Sequence, residues 1–395
     1  MASDRSVADE LADVGRARLA LLYALIYAEI GIATPFLPLW LNSLQLDPAT
    51  IGIIIATPIF VKVLASVPLS SLIDTGVNPR ALLLAGSMTV AMSYAIMPSA
   101  AKLGWPVLAV VLAIGAAAGS ALIPTVDYLA LRYVRLHPET DYARIRMSGS
   151  IAFLAVTIAG GMLLDASSTA KAIPQLLSCV AVCGATASFF MRPVRAGPPT
   201  ASGRQTPGAI PRRLWFFMCA AAAIQASHAA LYGFATIFWA AHANSDLAIG
   251  IFWGLGVGSE ILIFAAARRF PRLITSPEKL LLIGGAAAIS RAIGMALVGQ
   301  EPCIIVVLQA LHGLSFGVTH IGIMTAVSVL GLEQHRGRAQ GTLTTLTAGG
   351  TACASILSGF VYQRFGGSVA FAAMAPIALL GLSFLMTGAR VRKDT

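Results

Sequence analysis

Twelve long runs of apolar residues limit what this chain can fold into. Each run has about 20 residues or more, which is the length an α-helix needs to cross the hydrocarbon core of a bilayer. A helix also satisfies its own backbone hydrogen bonds where no water is present. With 57% hydrophobic and 11% charged residues among 395, the chain carries more apolar surface than a soluble core of this size can bury. The sequence therefore predicts an all-α membrane protein with twelve transmembrane helices, at residues 18–42, 50–73, 81–100, 105–131, 145–167, 172–192, 213–241, 248–268, 279–299, 302–331, 338–362 and 367–389.

The positive charges indicate how these helices are oriented. The net charge is +10, and 22 of the 27 Lys and Arg residues fall in the two termini and in every second connection, with only three in the other connections. The remaining two, Lys62 and Arg291, lie inside predicted helices. Because basic residues concentrate in cytoplasmic loops, both termini are predicted to be cytoplasmic. We therefore interpret the basic charge as a topology signal and expect no nucleic-acid partner.

The chain also repeats itself. Residues 193–212, rich in Pro, Gly, Arg and Ser/Thr, are predicted to be a cytoplasmic linker between an N-terminal six-helix half, 1–192, and a C-terminal six-helix half, 213–395. Matching residues recur at an almost constant offset of 198 or 199: Glu29 with His228, Trp40 with Trp239, Gly52 with Gly250, Lys62 with Glu260, Gly115 with Gly313 and Gly119 with Gly317. Parallel repeats of this kind place a substrate site near the membrane midplane, between the halves. Twelve helices in two pseudo-symmetric halves are typical of the major facilitator fold.

Four stretches carry a family resemblance. Pro35–Leu41 (PFLPLWL), Ser259–Leu262 (SEIL) and Gln309–Gly317 (QALHGLSFG) resemble the 3-phenylpropionate transporter family of the major facilitator superfamily. That family is related to the lactose permease and to nucleoside–proton symporters. Tyr142–Gly149 (YARIRMSG) also resembles the permease. The resemblance covers essentially the whole chain and implies a secondary transporter that works by alternating access.

The resemblance assigns roles to several residues. It implies that Glu260, Arg291 and His312 serve substrate binding and proton coupling. Arg144 and Asp127 match the permease's arginine and carboxylate in helices 5 and 4. Three residues after its histidine, the permease has the carboxylate that releases the proton, whereas this chain has Ser315. The proton carrier is therefore expected elsewhere, with Glu29 as first choice and Glu260 as second.

Ionisable residues at bilayer depth point to a functional site by themselves, because burying a charge there is costly. Lys62 is expected to face a cavity and to pair with an acid or receive an anion. Structural interpretations remain open: a Glu260–Arg291 ion pair, a Glu29–Lys62 pair, a gate pair of Asp127 with Arg144, and a hydrogen-bonded core histidine at His312. Near the cytoplasmic side, Asp74 and Arg80 belong to a degraded version of the superfamily's loop motif and are candidate gate residues.

The sequence thus predicts proton-coupled uptake of a small organic anion such as an aromatic carboxylate. The same fold could instead serve an uncharged sugar or nucleoside, or export drugs; a non-transporting membrane sensor is a more remote alternative. Gly313–Gly317 matches the G-x-S-x-G motif of hydrolases, but that motif requires a strand–turn–helix, so we expect no enzyme. We expect no cofactor or metal, a monomer in a bacterial inner membrane, and a small molecule, protons and lipid as partners.

Overall fold

The computed structural model describes residues 15–167, 171–191, 210–269, 276–331 and 336–391, and within these ranges the chain is helical and has no strand. The helices lie close to the predicted spans, so the predicted all-α fold is confirmed. In chain order they are α1 Arg16–Ser43, α2 Pro48–Ile73, α3 Pro79–Lys102, α4 Trp105–Leu136, α5 Tyr142–Ser167, α6 Ala172–Phe189, α7 Arg212–Ala241, α8 Asp246–Arg269, α9 Pro277–Val298, α10 Pro302–Leu330, α11 Arg336–Phe365 and α12 Gly367–Arg390.

Eleven of these twelve described helices are long and apolar enough to cross a membrane. The remaining one, α11, has 30 residues but contains many Thr, Gly and Ser residues, so its mean hydropathy is lower. Large apolar side chains such as Val67 and Leu297 are about 70% exposed, at 70% and 72%. Such exposure would be costly in water and suits a helix surface that faces lipid. The predicted linker lies outside the described residues except for 210–212.

Local sequence explains where several helices begin and break. The side chains of Asn78 and Ser276 accept hydrogen bonds from backbone N–H groups in the first turns of α3 and α9, each followed by a proline. Three helices are irregular in the middle: α4 after Gly119, α7 after Ala226, and α10 at a π-helical turn, Gly313–Val318. π-turns are often found at functional sites.

The chain divides into two compact units. Unit 1 comprises the described residues of 1–40 and 60–203, and unit 2 those of 41–59 and 204–395. The buried core of unit 1 is formed by α1, α3, α4, α5 and α6, around Tyr23, Leu83 and Val126. The largest core cluster of unit 2 is formed by α7, α9, α10, α11 and α12, around Phe217, Leu281 and Ile323.

The first part of α2 packs on α11 inside unit 2. A Cβ on Gly52 would lie 2.7 Å from the carbonyl oxygen of Ser355, and a Cβ on Gly359 would lie 2.6 Å from that of Pro48. Two glycines on facing helices therefore allow the backbones to touch. This close approach gives a physical reason why residues 41–59 group with the C-terminal half.

Candidate functional site

The polar residues of the C-terminal half meet around one guanidinium group in unit 2. Arg291 of α9 is only 4% exposed and donates to four acceptors on α10. These acceptors are the Leu308 carbonyl oxygen at 2.8 Å, Gln309 Oε1 at 2.6 Å, His312 Nδ1 at 3.0 Å and Ser315 Oγ at 3.4 Å. Since a guanidinium has five N–H donors, most of its donor capacity is already used by α10. Arg291 thus fixes α10 at the start of its π-turn.

His312 links this arginine to the acid on α8. Arg291 can only donate, so His312 Nδ1 must accept, and the ring proton of the neutral histidine lies on Nε2. That atom lies 3.9 Å from Oε2 of Glu260, whose side chain is 22% exposed. The structure therefore places His312 between Glu260 and Arg291. The interpretation of His312 as a core histidine bonded to a carbonyl one turn back does not describe these contacts.

His228, which the sequence did not single out for a role, belongs to the same network. It lies at the break in α7, is 3% exposed, and its Nε2 is 2.9 Å from Ser315 Oγ. Its Nδ1 is 3.1 Å from the Ile224 carbonyl oxygen. The one available signal was its position opposite Glu29 in the internal repeat. Ser315, which stands where the permease has a carboxylate, thus has contacts of its own, because it joins His228 to Arg291.

Aromatic rings surround these polar groups. Tyr232 stacks on Trp253 with ring centroids 5.9 Å apart, and His312 stacks on Phe316 at 5.4 Å. The two histidine rings meet edge to face at 5.6 Å. Faces and edges of rings form favourable contacts with another ring, so this environment suits an aromatic group.

The π-turn of α10 depends on its contact with α8. The backbone N–H of Gly313 donates to Ser259 Oγ at 2.8 Å, and a Cβ on Gly313 would lie 2.6 Å from the Ser259 carbonyl oxygen. Only glycine permits this approach. The Gly313–Gly317 match to a hydrolase motif therefore has a packing explanation.

Unit 1 holds a smaller polar site. Tyr94 of α3 donates to Glu29 Oε1 at 2.8 Å, and the charge of Lys62 acts on the same carboxylate. Glu29 is partly exposed and Lys62 is exposed. Tyr94 is thus the hydrogen-bond partner of Glu29, and Lys62 is near enough for its charge to act on the same carboxylate.

Asp127 and Arg144 are placed differently from the predicted gate pair. Asp127 Oδ1 accepts hydrogen bonds from the hydroxyl groups of Tyr23 and Tyr142, the latter at 2.8 Å. Arg144 is exposed. Arg146, half a helical turn after Arg144, is the arginine that lies over the rings of Tyr23 and Tyr27. Its guanidinium lies 4.2 Å from the Tyr27 ring centroid and donates to the Tyr27 hydroxyl.

The two candidate gate residues, Arg80 and Asp74, also make different contacts. Arg80 donates to the Phe189 carbonyl oxygen at 2.6 Å and lies over the Phe189 ring, whereas the exposed Asp74 ends the short helical turn Ser71–Ile73. Among the described residues, Asp74 forms no ion pair. Within the same part of the chain, His, Cys, Asp and Glu residues form no group of three that could hold a metal ion.

Comparison with known families decides the class of this protein. Residues 16–373 match the model of the MFS_1 like family, a branch of the major facilitator superfamily. The chain belongs to this family. It is 29% identical over 376 residues to a probable 3-phenylpropionic acid transporter of Escherichia coli (strain K12), covering 91% of this chain and 94% of that protein.

Solved structures agree on the fold. The nucleoside transporter NupG has a TM-score of 0.80 at 15% identity, covering 94% of this chain and 98% of its own. The human organic anion transporter MFSD10 has a TM-score of 0.62 at 17% identity, covering 95% and 99%. At these identities the likeness shows the fold alone. Family and fold together make this protein an integral membrane transporter of the major facilitator type and not an enzyme.

Proposed function

We propose that this transporter couples the uptake of a small aromatic carboxylate to the movement of protons. The observation that carries the proposal is the polar network of unit 2, defined by Glu260, His312, Arg291, Ser315 and His228. It joins one carboxylate and two histidines to a buried cation. Groups of these types can gain or lose a proton, and aromatic rings line the network.

The proposed coupling follows from charge. With Glu260 ionised, the charges of Glu260 and Arg291 offset each other. A bound organic anion would leave one negative charge in excess in a region of low dielectric constant, where charges interact strongly. Taking up a proton restores neutrality, so anion and proton are expected to bind together.

The substrate class is supported by the similarity to the probable 3-phenylpropionic acid transporter and by the ring contacts of Tyr232, Trp253 and Phe316. Arg291 is held by α10, so we assign it to positioning the network. The exposed ammonium of Lys62 and the guanidinium of Arg146 are the better candidates to receive a carboxylate. Glu29 is the second candidate proton carrier. We further propose alternating access of two halves in a bacterial inner membrane with cytoplasmic termini.

A second candidate substrate is an uncharged nucleoside or sugar. Arg291 already has four acceptors, and Lys62 already interacts with Glu29. Cations whose donors or charge are already engaged within the protein are less available to an anion. The fold is also that of a nucleoside transporter, although a likeness of fold does not identify the substrate.

Uptake into proteoliposomes tests both proposals. With one proton per substrate, an outside-acid gradient of about one pH unit can concentrate a substrate about tenfold, because about 1.4 kcal/mol corresponds to a factor of ten. We expect labelled 3-phenylpropionate to accumulate under this gradient, beyond the passive entry measured in protein-free vesicles. Uridine is expected not to accumulate. Gradient-driven uridine uptake without 3-phenylpropionate uptake would establish the second candidate instead.

A further inference from the structure

We infer that His228 is the proton-binding histidine of the unit 2 network, while His312 positions Glu260 and Arg291. The inference rests on the proton coupling proposed above and assigns it to a residue at the break in α7. The two histidines differ in whether a ring nitrogen has room for a second proton.

His312 has no such room. Its Nδ1 lies 3.0 Å from an Arg291 nitrogen that can only donate. A proton on Nδ1 would set two donors against each other, so His312 can be doubly protonated only if its contact with Arg291 breaks. Its other nitrogen already carries the proton that faces Glu260.

His228 is arranged differently. Nδ1 donates to the Ile224 carbonyl oxygen, which leaves Nε2 as an acceptor for the hydroxyl of Ser315 at 2.9 Å. The Ser315 hydroxyl has a second acceptor, the His312 carbonyl oxygen at 3.3 Å. When His228 takes up a proton on Nε2, this atom donates to Ser315 Oγ, and the Ser315 hydroxyl turns to the carbonyl oxygen. Every polar group keeps a partner, and only one hydroxyl hydrogen rotates.

A small cavity borders His228. Its volume is about 20 Å³, enough for one water molecule, and its polar lining consists of Ser227, His228 and Arg291. Apolar side chains of α9 and α12, including Met295 and Phe371, complete the lining. The cavity is thus large enough to admit one water molecule beside His228.

Charges around His228 make its protonation depend on an anion. Burial of the ring is the larger obstacle to a positive charge on His228, and the positive charge of Arg291 on α9 adds to it. His312 of α10 and Tyr232 of α7 are the other titratable groups against the ring, and Glu260 of α8 lies beyond His312. The negative charge of a bound substrate would act through the low-dielectric interior, offset part of the charge of Arg291 and favour a proton on His228.

Transport by His228→Gln provides the test. The glutamine amide can still bond to Ser315 but cannot carry a proton at physiological pH. We expect this variant to retain exchange of 3-phenylpropionate at equal pH, but to accumulate it under a pH gradient no faster than protein-free vesicles do. His242→Gln, an exposed histidine at the end of the same helix, is the matched control and is expected to accumulate normally. Full accumulation by His228→Gln would overturn the inference.

A second readout does not depend on the substrate. The chain has six histidines, so the ¹⁵N spectrum of histidine-labelled protein is simple, and the signals missing from His228→Gln identify this ring. We expect the wild-type His228 signal to move to the imidazolium position as the pH falls, with Nδ1 protonated throughout. If His228→Gln loses exchange as well as accumulation, this spectrum decides: a ring that stays neutral at acid pH overturns the inference, and a ring that titrates supports it. Wild-type protein that ignores the pH gradient would instead refute the coupling.

Discussion

The two repeats of this transporter fill matching positions with different chemistry. Glu29 of the first repeat corresponds to His228 of the second, and Lys62 corresponds to Glu260. In unit 1 the carboxylate has one tyrosine donor and an exposed ammonium near it. In unit 2 a buried arginine is bonded to four acceptors on a single helix. Unit 2 thus contains a closed polar network around a buried cation, whereas unit 1 contains a more open site with an exposed cation.

The largest expected effect concerns the two carboxylates. Glu260→Gln removes the only negative charge in the unit 2 network and is expected to reduce gradient-driven uptake of 3-phenylpropionate to the rate of protein-free vesicles. Glu29→Gln keeps an oxygen that can accept from Tyr94, so we expect a partial loss. Uptake into proteoliposomes measures both, with the exposed Glu301→Gln as control. Complete loss in Glu29→Gln with normal uptake in Glu260→Gln would reverse the comparison.

The free energy of unfolding should likewise depend more on the buried Arg291 of unit 2 than on the exposed Arg144 of unit 1. Arg291→Ala leaves Gln309, His312 and Ser315 buried without their donor, and removing one partner of a buried charged network typically costs about 3–5 kcal/mol. Arg144→Ala changes an exposed side chain and should stay within about 0.5 kcal/mol of wild type. Unfolding in detergent, followed by tryptophan fluorescence, measures the difference. Equal stability of the two variants would mean that α10 does not depend on Arg291.

A smaller effect is expected at the repeat-related glycines Gly115 and Gly313. A Cβ on Gly313 meets the backbone of Ser259 at 2.6 Å, whereas a Cβ on Gly115 meets the side chain of Ser93 at 2.7 Å. Backbone cannot move aside as a small side chain can, so Gly313→Ala should cost about 1–3 kcal/mol of unfolding free energy and Gly115→Ala less. Gly258→Ala, where nothing lies within 4 Å, is the control. A larger loss for Gly115→Ala would contradict the packing account.

The smallest expected effect concerns the side chains that accept hydrogen bonds at the starts of α2 and α8. Asp47 and Ser245 are related by the repeat, and their side chains accept from the N–H groups of Thr50 and Ala248. The hydrogen bonds from the amide and hydroxyl of Thr50 lower the pKa of Asp47. Replacing either residue with alanine should lower the free energy of unfolding by about 1 kcal/mol near neutral pH.

Of these two variants, only Asp47→Ala should differ from wild type by an unfolding free energy that depends on pH. A carboxyl group whose pKa is lowered by folding stabilises the fold above its unfolded pKa of about 3.9 and loses this contribution as the pH falls through the folded value. The unfolding free energies of wild type and Asp47→Ala should therefore converge in acid, while Ser245→Ala keeps a constant difference. A pH-independent Asp47→Ala difference would exclude the charged cap.

The sequence predicted the fold well because the length of each span depends on the thickness of the bilayer, which acts on every helix alike. It also named Glu260, Arg291 and His312 as site candidates. It could not give the contacts, because these depend on local irregularities. The π-turn of α10 turns Ser315 toward His228, and the phase of α5 places Arg146, not Arg144, against Tyr27. Neither can be derived from a regular helical period.

The most direct test of the central claim is proton movement driven by the substrate itself. Proteoliposomes in weakly buffered medium, without an imposed gradient, receive 3-phenylpropionate outside while a pH electrode records the medium. Wild-type protein is predicted to make the medium more alkaline faster than protein-free vesicles do, whereas His228→Gln and Glu260→Gln should match the protein-free rate. Rapid substrate entry into wild-type vesicles at the protein-free rate of pH change would contradict a proton-coupled network in unit 2.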